Sequence, residues 1–275
     1  MELFGIDVSE HNGTINWELV KPQISFVIIR AGYGQNNIDK QFKRNIEECT
    51  RLNIPFGIYW FSYAFDPEMA RREAEYCIQA IGGYNPSYPV CFDYEYDSYN
   101  YACKHGKRPS TELIISIADA FLSTIENHGY YAVNYCNVDY YNNYGMKKLT
   151  EKYDLWLADW RDKKADISCG MLQFSSNKTL KGINGVVDTD YAYKDYITII
   201  NNMNKANTEK ENKKNELIVS TSSIFINKYL DLALEIIDGL WGNGEQRKVA
   251  LTNAGYDYDF AQHIVNKLYD EGIIK

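Results

Sequence analysis

The chain contains a series of short segments that are apolar on both faces and that alternate with amphipathic helical patterns. Strands of this kind are typical of a parallel sheet that is covered by helices. The number of strands predicts an α/β fold whose sheet closes, or nearly closes, into a β/α barrel. The last strands lack long intervening helices, so we expect an irregular barrel. The candidate strands are 3–9, 25–31, 55–61, 89–97, 130–136, 154–160, 171–174 and 185–188.

Helical spacing of apolar residues predicts helices over 39–52, 69–81 and 110–127. Pro67 stands before the second of these, at the position that proline favours at a helix start. Gly129 lies just beyond the end of the third, where a glycine commonly ends a helix. These helices lie between candidate strands and therefore support the alternating fold.

The segment from Pro89 to Asp97 begins as an apolar strand and ends with acids at every second position. If the chain stays extended, Asp93, Glu95 and Asp97 share one face, roughly 6.5–7 Å apart at their Cα atoms. Like charges at such spacing raise the pKa of at least one carboxyl, which can then stay protonated near neutral pH. The spacing alone equally fits an acidic loop that follows a strand.

Composition and charge narrow the classes of function. The net charge of −8 disfavours nucleic acid and anionic lipid as partners. We find no run of eighteen apolar residues, and Met1 to Phe4 lead directly into a strand, so we expect no membrane span and no signal peptide. The six cysteines show no metal-type pairs and indicate buried free thiols of a protein made in a reducing cytoplasm. We expect no metal and no other cofactor.

The carboxyl ends of barrel strands are where functional groups lie in folds of this type. Acids and aromatic residues recur at these ends. Acids alone could hold a metal for phosphodiester chemistry. Aromatic rings around acids favour a sugar, because the rings stack on pyranose faces while carboxylates act on the glycosidic bond. The residues concerned are Asp7, Tyr59, Phe61, Asp93, Glu95, Tyr135, Trp156, Trp160, Gln173 and Asp188; whether both tryptophans belong to the site or to the core is left open.

The ordered motifs of residues 1 to about 198 resemble the glycoside hydrolase family 25 lysozymes. The resemblance implies a flattened barrel that acts as an N-acetylmuramidase, cleaving the β-1,4 bond from N-acetylmuramic acid to N-acetylglucosamine. Trp60 and Asp190 depart from the family pattern, in which His and Asn are usual. The motifs are Gly5-Ile6-Asp7-Val8-Ser9, Ile29-Arg30-Ala31-Gly32-Tyr33-Gly34, Gly57-Ile58-Tyr59-Trp60-Phe61, Asp93-Tyr94-Glu95, Leu155-Trp156-Leu157-Ala158-Asp159-Trp160, Gln173-Phe174-Ser175-Ser176 and Val187-Asp188-Thr189-Asp190.

The resemblance also implies roles for individual residues. Glu95 would be the general acid, with Asp93, Asp7 and Asp188 as its acidic companions. Asp97 lies outside the motif and is expected to be a solvated turn residue. The residues expected to contact the sugars are Tyr59, Phe61, Tyr135, Trp156 and Gln173.

The composition changes after the barrel. We predict a catalytic domain at 1–200, a polar linker at 201–223 that is at most partly helical, and a three-helix module at 224–275. The module resembles the CW_7 cell-wall-binding repeat, and this implies recognition of a peptidoglycan muropeptide. Trp241, Arg247 and Tyr256 could offer a stacking face and a guanidinium for a carboxylate. Trp241 could equally be the core of a small module.

The sequence therefore predicts a peptidoglycan-degrading lysozyme, with bacterial peptidoglycan as its partner. An absent signal peptide beside a wall-binding tail favours a phage endolysin that a holin releases, and a bacterial autolysin is the alternative. A chitinase-like hydrolase, a metal-dependent phosphodiesterase and a non-catalytic wall-binding protein are the rivals. The sequence does not distinguish a retaining, an inverting or a substrate-assisted mechanism, and it leaves the oligomeric state open.

Overall fold

A computed structural model describes residues 2–164 and 166–273, with the backbone alone at 211, 212 and 214–224. Within these residues the chain forms nine strands of one sheet. The strands are β1 (Leu3–Val8), β2 (Phe26–Tyr33), β3 (Asn37–Ile38), β4 (Phe56–Phe61), β5 (Val90–Asp93), β6 (Ala132–Asn137), β7 (Asp154–Ala158), β8 (Met171–Lys178) and β9 (Val187–Ala192).

The sheet closes on itself through β1. This strand pairs with β2 on one side and with β9 on the other, and the remaining order is β9-β8-β7-β6-β5-β4-β2. The short β3 pairs with the end of β2 outside the ring. The predicted irregular β/α barrel is therefore confirmed, with eight strands in its closed wall.

Side chains alternate between the inside of the barrel and the helices that surround it, as the two-residue period of a strand requires. Val27 and Ile29 join the outer core against the helices, whereas Phe26 and Ile28 join the inner core. Trp156 also lies in the inner core. A residue's parity along its strand therefore decides whether it reaches the interior of the barrel.

Nine α-helices lie in the described part of the chain. The three predicted helices between strands are present, and Pro67 and Ser110 occupy the expected start positions of α3 and α5. The helices are α1 (Trp17–Val20), α2 (Phe42–Leu52), α3 (Pro67–Ile81), α4 (Tyr96–Lys104), α5 (Thr111–Asn127), α6 (Val138–Asn143), α7 (Tyr196–Ile237), α8 (Gly244–Asn253) and α9 (Tyr258–Asp270); short 3₁₀ segments are Glu10–Asn12, Lys21–Gln23 and Met146–Glu151.

The acidic segment departs from the prediction of a strand that runs to Asp97. β5 ends at Asp93, and α4 begins at Tyr96 with Glu95 as its N-cap residue. The hydroxyl of Ser98 accepts a hydrogen bond from the Glu95 backbone N–H at 3.1 Å, and this contact starts the helix. Asp97 consequently lies in the first turn of α4, and the three acids do not share a strand face.

The last strand also differs from the prediction. β9 begins at Val187, two residues later than expected, and it runs antiparallel to both β1 and β8. A chain reversal between β8 and β9 needs no crossover helix, so the expectation of an entirely parallel sheet was wrong for this strand.

The residues from Ala206 onward form a compact unit separate from that ending at Lys205. Its core joins α8, α9 and the end of α7 through buried residues such as Leu232, Leu251 and Val265. α7 extends through the predicted linker, so the helical content there is higher than expected. The side chains at 211, 212 and 214–224, and residues 274 and 275 of the predicted module, lie outside the described residues.

None of the described helices combines the length and the apolar character that a membrane span requires.

Gly5 permits close packing inside the barrel, and its substitution by Ala tests this. An added Cβ would lie 2.4 Å from the Phe26 ring, which is too close for any carbon atom. We expect Gly5→Ala to lower the free energy of unfolding by about 1–3 kcal/mol through overpacking. Urea unfolding followed by tryptophan fluorescence measures the change. Gly83→Ala is the matched control, because nothing lies within 4 Å of its added Cβ; equal stability of the two variants would contradict the packing described.

Candidate active site

A cavity of about 430 Å³ lies at the end of the barrel where the parallel strands finish. All nine residues predicted to act on or contact substrate in the barrel line this cavity. They are Asp7, Tyr59, Phe61, Asp93, Glu95, Tyr135, Trp156, Gln173 and Asp188. The structure therefore brings the predicted set together, while the role of each residue remains a prediction.

Asp7 and Asp188 face each other across the barrel closure. They are Cα partners in the antiparallel pairing of β1 and β9. Burial raises the pKa of Asp7 well above its ordinary value, and the nearby charges of Asp190 and Asp188 raise it further. Burial also raises the pKa of Asp188 to about 6. Nε2 of Gln173 donates a 2.7 Å hydrogen bond to Oδ2 of Asp7 and holds that carboxyl in place.

Asp93 is the last residue of β5 and is only 6% exposed. Burial, followed by the charge of Glu95, raises its pKa well above the ordinary value. Its buried Oδ1 has no hydrogen-bond partner among the described residues. An unsatisfied buried oxygen costs free energy, so the burial of Asp93 lowers the stability of the folded protein.

Glu95 lies at the mouth of the site, half-buried, because it caps α4 instead of continuing β5. Burial raises its pKa, the hydrogen bond with Tyr135 lowers it, and the charges of Asp97 and Asp188 raise it again, with a net rise. Its carboxyl is hydrogen-bonded with the hydroxyl of Tyr135. Glu95 also lines a second cavity of about 580 Å³. The two cavities share Glu95, Tyr135 and Trp160.

Gln173 connects the two sides of the cavity. Its Oε1 accepts hydrogen bonds from Nε1 of Trp160 at 3.1 Å and from the Tyr135 hydroxyl at 3.0 Å. An indole nitrogen only donates, so the Trp160 contact fixes which end of the Gln173 amide is the oxygen. Tyr135 must therefore donate its hydroxyl hydrogen to Gln173.

Asp190 is a fifth acid of the cluster that the sequence did not assign to the site. It is fully buried, and Nε1 of Trp156 donates a 2.8 Å hydrogen bond to its Oδ1. Burial and the charge of Asp188 raise the pKa of Asp190 to about 8. Asp190 lies two residues after Asp188 on β9, so both side chains point to the inside of the barrel. This spacing could have identified Asp190 as a site residue from the sequence.

Arg30 is the second residue that sequence reasoning missed. It lines the cavity, is 8% exposed and donates from Nε to Oδ2 of Asp39 at 2.8 Å. Its Nη2 also donates to Oε1 of Glu10 at 3.1 Å. The guanidinium lowers the pKa of Asp93 against the larger effects of burial and Glu95. A charged residue inside an otherwise apolar strand was the available signal.

The aromatic residues divide by exposure. Trp156 is 2% exposed, and its ring packs on Tyr59 and Tyr135. It therefore belongs mainly to the inner core, and it also lines the cavity. Trp160 is 56% exposed and offers a free face to solvent, and Phe61 is half-buried. Trp160 is thus better placed for stacking than Trp156.

Asp97 is exposed and lines a different cavity, which agrees with its expected position outside the motif. His11 lies in a 3₁₀ segment and lines the 430 Å³ cavity. Among the residues that the structure describes, no group of three or more His, Cys, Asp or Glu side chains is arranged to hold a metal ion.

In the C-terminal unit, the predicted wall-binding residues are held by internal contacts. Trp241 packs partly buried against the core, with its Nε1 donating to Glu235 at 2.8 Å and its ring edge on Tyr256. Arg247 donates to the Gly242 carbonyl, Asn243 and Gln262. The three side chains have structural roles, and their role in binding remains a prediction.

Comparison with known proteins gives two family matches. Residues 6–183 match the family Glycosyl hydrolases family 25, and residues 231–269 match the CW_7 repeat. Among curated proteins, the chain is 24% identical to a lysozyme of Streptococcus phage Cp-7 over 96% of this chain and 69% of that protein.

Solved structures give the same fold. The modular autolysin LytC from Streptococcus pneumoniae, in complex with a synthetic peptidoglycan ligand, is 30% identical with a TM-score of 0.61. That match covers 70% of this chain and 47% of LytC, so the chain spans about half the length of that protein. The lysozyme from Streptomyces coelicolor is 23% identical with a TM-score of 0.63 over 73% of this chain and 98% of that one.

The predicted enzyme class, barrel family and C-terminal repeat are therefore confirmed. Because the family match covers more than half of the 275 residues, the chain is a glycoside hydrolase that belongs to Glycosyl hydrolases family 25.

Proposed function

We propose that this protein is a peptidoglycan lysozyme that hydrolyses the β-1,4 bond between N-acetylmuramic acid and N-acetylglucosamine. The similarity to a phage lysozyme and to an autolysin seen with a peptidoglycan ligand supports this substrate. The CW_7 match in the C-terminal unit supports an additional contact with the bacterial wall.

The position of Glu95 between two cavities is the observation that carries the proposal. A glycosidic bond joins two sugars, so its proton donor must stand where two sugar sites meet. Glu95 lines both the 430 Å³ and the 580 Å³ cavity, and Asp7 and Asp93 line only the first. Trp160 also borders both cavities and presents a ring on which a sugar can stack.

Burial favours the protonated form of the Glu95 carboxyl, because it raises the pKa of this group. The hydrogen bond with Tyr135 acts in the other direction and lowers the pKa, but it is a smaller effect than burial. The charges of Asp97 and Asp188 raise the pKa further. Glu95 then donates its proton to the leaving glycosidic oxygen, and as a carboxylate it subsequently activates water.

The companion acids have a different task in this mechanism. Positive charge develops on the sugar ring in an oxocarbenium-like transition state, and the carboxyls of Asp93 and Asp188 face the same cavity. Asp93 lines this cavity, and its carboxyl can accept a hydrogen bond from the 2-acetamido N–H of the substrate. Asp7 supports Asp188 across the strand pair.

The biological setting we propose is that of a phage endolysin, made in the host cytoplasm and released by a holin. Similarity to a phage lysozyme along 96% of this chain supports this setting. Similarity to an autolysin covers less of both proteins and keeps a bacterial autolysin as the second candidate.

Replacing Glu95 by Gln removes the proton donor and preserves the shape of the side chain. We expect wall clearing to fall by about 10²–10⁴-fold with wall binding unchanged, because general acid catalysis contributes this much. Turbidity and pull-down with purified walls measure the two effects, and mass analysis of borohydride-reduced products identifies the new ends. Exposed Glu75→Gln on α3 is the matched control. Full lysis by Glu95→Gln, or N-acetylglucosamine at the reducing ends, would overturn the proposal.

Asp190→Asn tests the protonation of the buried cluster. Burial raises the pKa of Asp190 to about 8 from an ordinary 3.8. Between these pH values the folded state holds more protons than the unfolded state. The stabilisation that this bound proton gives the folded state is therefore complete below about pH 4 and is lost as the pH rises towards 8. We therefore expect the stability of Asp190→Asn relative to wild type to increase from pH 5 to pH 8 by up to about 4 kcal/mol, because each pH unit in this range contributes about 1.4 kcal/mol.

Urea unfolding at both pH values measures this difference, and the exposed Asp162→Asn serves as control. If the free energy of unfolding changes equally with pH in wild type and in Asp190→Asn, the pKa of Asp190 is not raised and the prediction is wrong.

The endolysin setting predicts that the protein, expressed inside bacteria whose walls it cleaves, does not lyse them until the membrane is permeabilised. Culture turbidity before and after chloroform measures this, with Glu95→Gln as the inactive control. Lysis without permeabilisation would favour an exported autolysin.

A further inference from the structure

A third cavity, of about 650 Å³, has no part in the mechanism above. We call the 430 Å³ cavity that contains the acids the catalytic cavity. The third cavity is lined by Tyr63, Asp97, Asn100, Tyr101, Cys103 and Lys104. Four of these residues follow the spacing i, i+3, i+4, i+7 and therefore share one face of α4. Glu95 caps this same helix, and the first residue of α4 that lines the cavity, Asp97, lies two residues after the proposed proton donor.

Aromatic rings connect this cavity with the catalytic one. Phe61 lines the catalytic cavity, and its ring centroid lies 5.1 Å from that of Tyr63. The Tyr63 ring lies 4.9 Å from Tyr101. All three rings are half-buried, so each keeps part of its surface open. We name Phe61, Tyr63 and Tyr101 the aromatic track.

The electrostatic surroundings of Tyr63 also indicate that the two cavities adjoin. Burial and the charge of Asp97 raise its pKa, Arg30 lowers it, and Asp93 contributes a smaller rise. Tyr63 is therefore within electrostatic reach of both the α4 face and the catalytic cluster.

The loop that carries Tyr63 is held by two hydrogen bonds from backbone N–H groups. The Tyr63 backbone N–H donates to Oε1 of Glu73 at 3.1 Å, and Glu73 is fully buried in α3. The preceding Ser62 N–H donates to the Asp93 carbonyl at 2.7 Å. A ring on a loop tied at both residues loses little conformational entropy when a ligand binds, which is the property of a preorganised site.

We propose that the aromatic track and the polar face of α4 bind a further saccharide of the same glycan strand whose bond is cleaved at Glu95. Half-exposed tyrosines provide stacking faces for a pyranose, and Asp97, Asn100 and Lys104 provide the hydrogen-bonding groups that hydroxyl and acetamido groups need. This assignment rests on the proposed glycan substrate and extends it to long strands. Its ligand is the sugar chain, and the stem peptide is not required.

Tyr101→Ala alters this subsite and leaves the lining of the catalytic cavity unchanged, because Tyr101 does not line the catalytic cavity. With long, peptide-free glycan strands we expect KM to rise about tenfold with kcat unchanged, which is the scale of one lost aromatic contact. A short oligosaccharide that fills only the cavities beside Glu95 should be cleaved with wild-type constants. Tyr101→Phe should restore binding of long strands, since stacking needs only the ring.

Tyr76→Ala is the matched control, because Tyr76 is a half-buried tyrosine on α3 that lines none of the three cavities. Equal losses on short and long substrates, or no loss on either, would overturn the subsite. A loss confined to strands that carry stem peptides would assign the cavity to peptide and likewise overturn it.

Binding of long peptide-free strands to Glu95→Gln, with and without Tyr101→Ala, tests the subsite independently of turnover. The C-terminal unit is common to both proteins, so only the barrel surface differs between them. Weaker binding of the double variant supports the subsite even if the chemistry assigned to Glu95 is wrong, and equal binding contradicts it.

Discussion

The closure of the barrel through β1 is the constraint on which the site depends. β1 pairs with β2 and β9 at once, and the second pairing sets Asp7 opposite Asp188, residues 181 positions apart in the chain. The same parity turns Asp93, Gln173 and Asp190 towards the interior. A slip of one residue in either pairing would direct these groups into the apolar layer under the helices.

The clustering of carboxyls has an electrostatic consequence that the fold must tolerate. Asp7, Asp93 and Asp190 are almost fully buried, and burial raises the pKa of each. Protons and hydrogen bonds from Gln173 and Trp156 replace the water that these groups have lost. The arrangement lowers stability at neutral pH, and the burial that causes this cost also raises the pKa of Glu95, the residue that we propose as the proton donor. Such a conflict between stability and function is common at active sites.

Much of the barrel could be predicted because its strands and helices follow from local patterns. Doubly apolar segments such as 25–31 and helix-start residues such as Pro67 determine their own elements, and the ordered motifs place the site residues at the strand ends. Two features could not be predicted, because each depends on a contact between distant or competing elements. Ser98 starts α4 early and separates Asp97 from Asp93 and Glu95. The direction of β9 depends on its pairing with β1 and β8.

The central claim is that the surroundings of Glu95 raise its pKa, and the titration of this single carboxyl tests the claim most directly. Carbon-13 NMR of protein labelled at glutamate side-chain carboxyls follows the titration, and comparison with Glu95→Gln assigns the resonance. The account predicts a midpoint above the ordinary 4.5, which moves down in Asp188→Asn because a charge that opposes ionisation has been removed. A midpoint at or below 4.5 in the wild-type protein would contradict it.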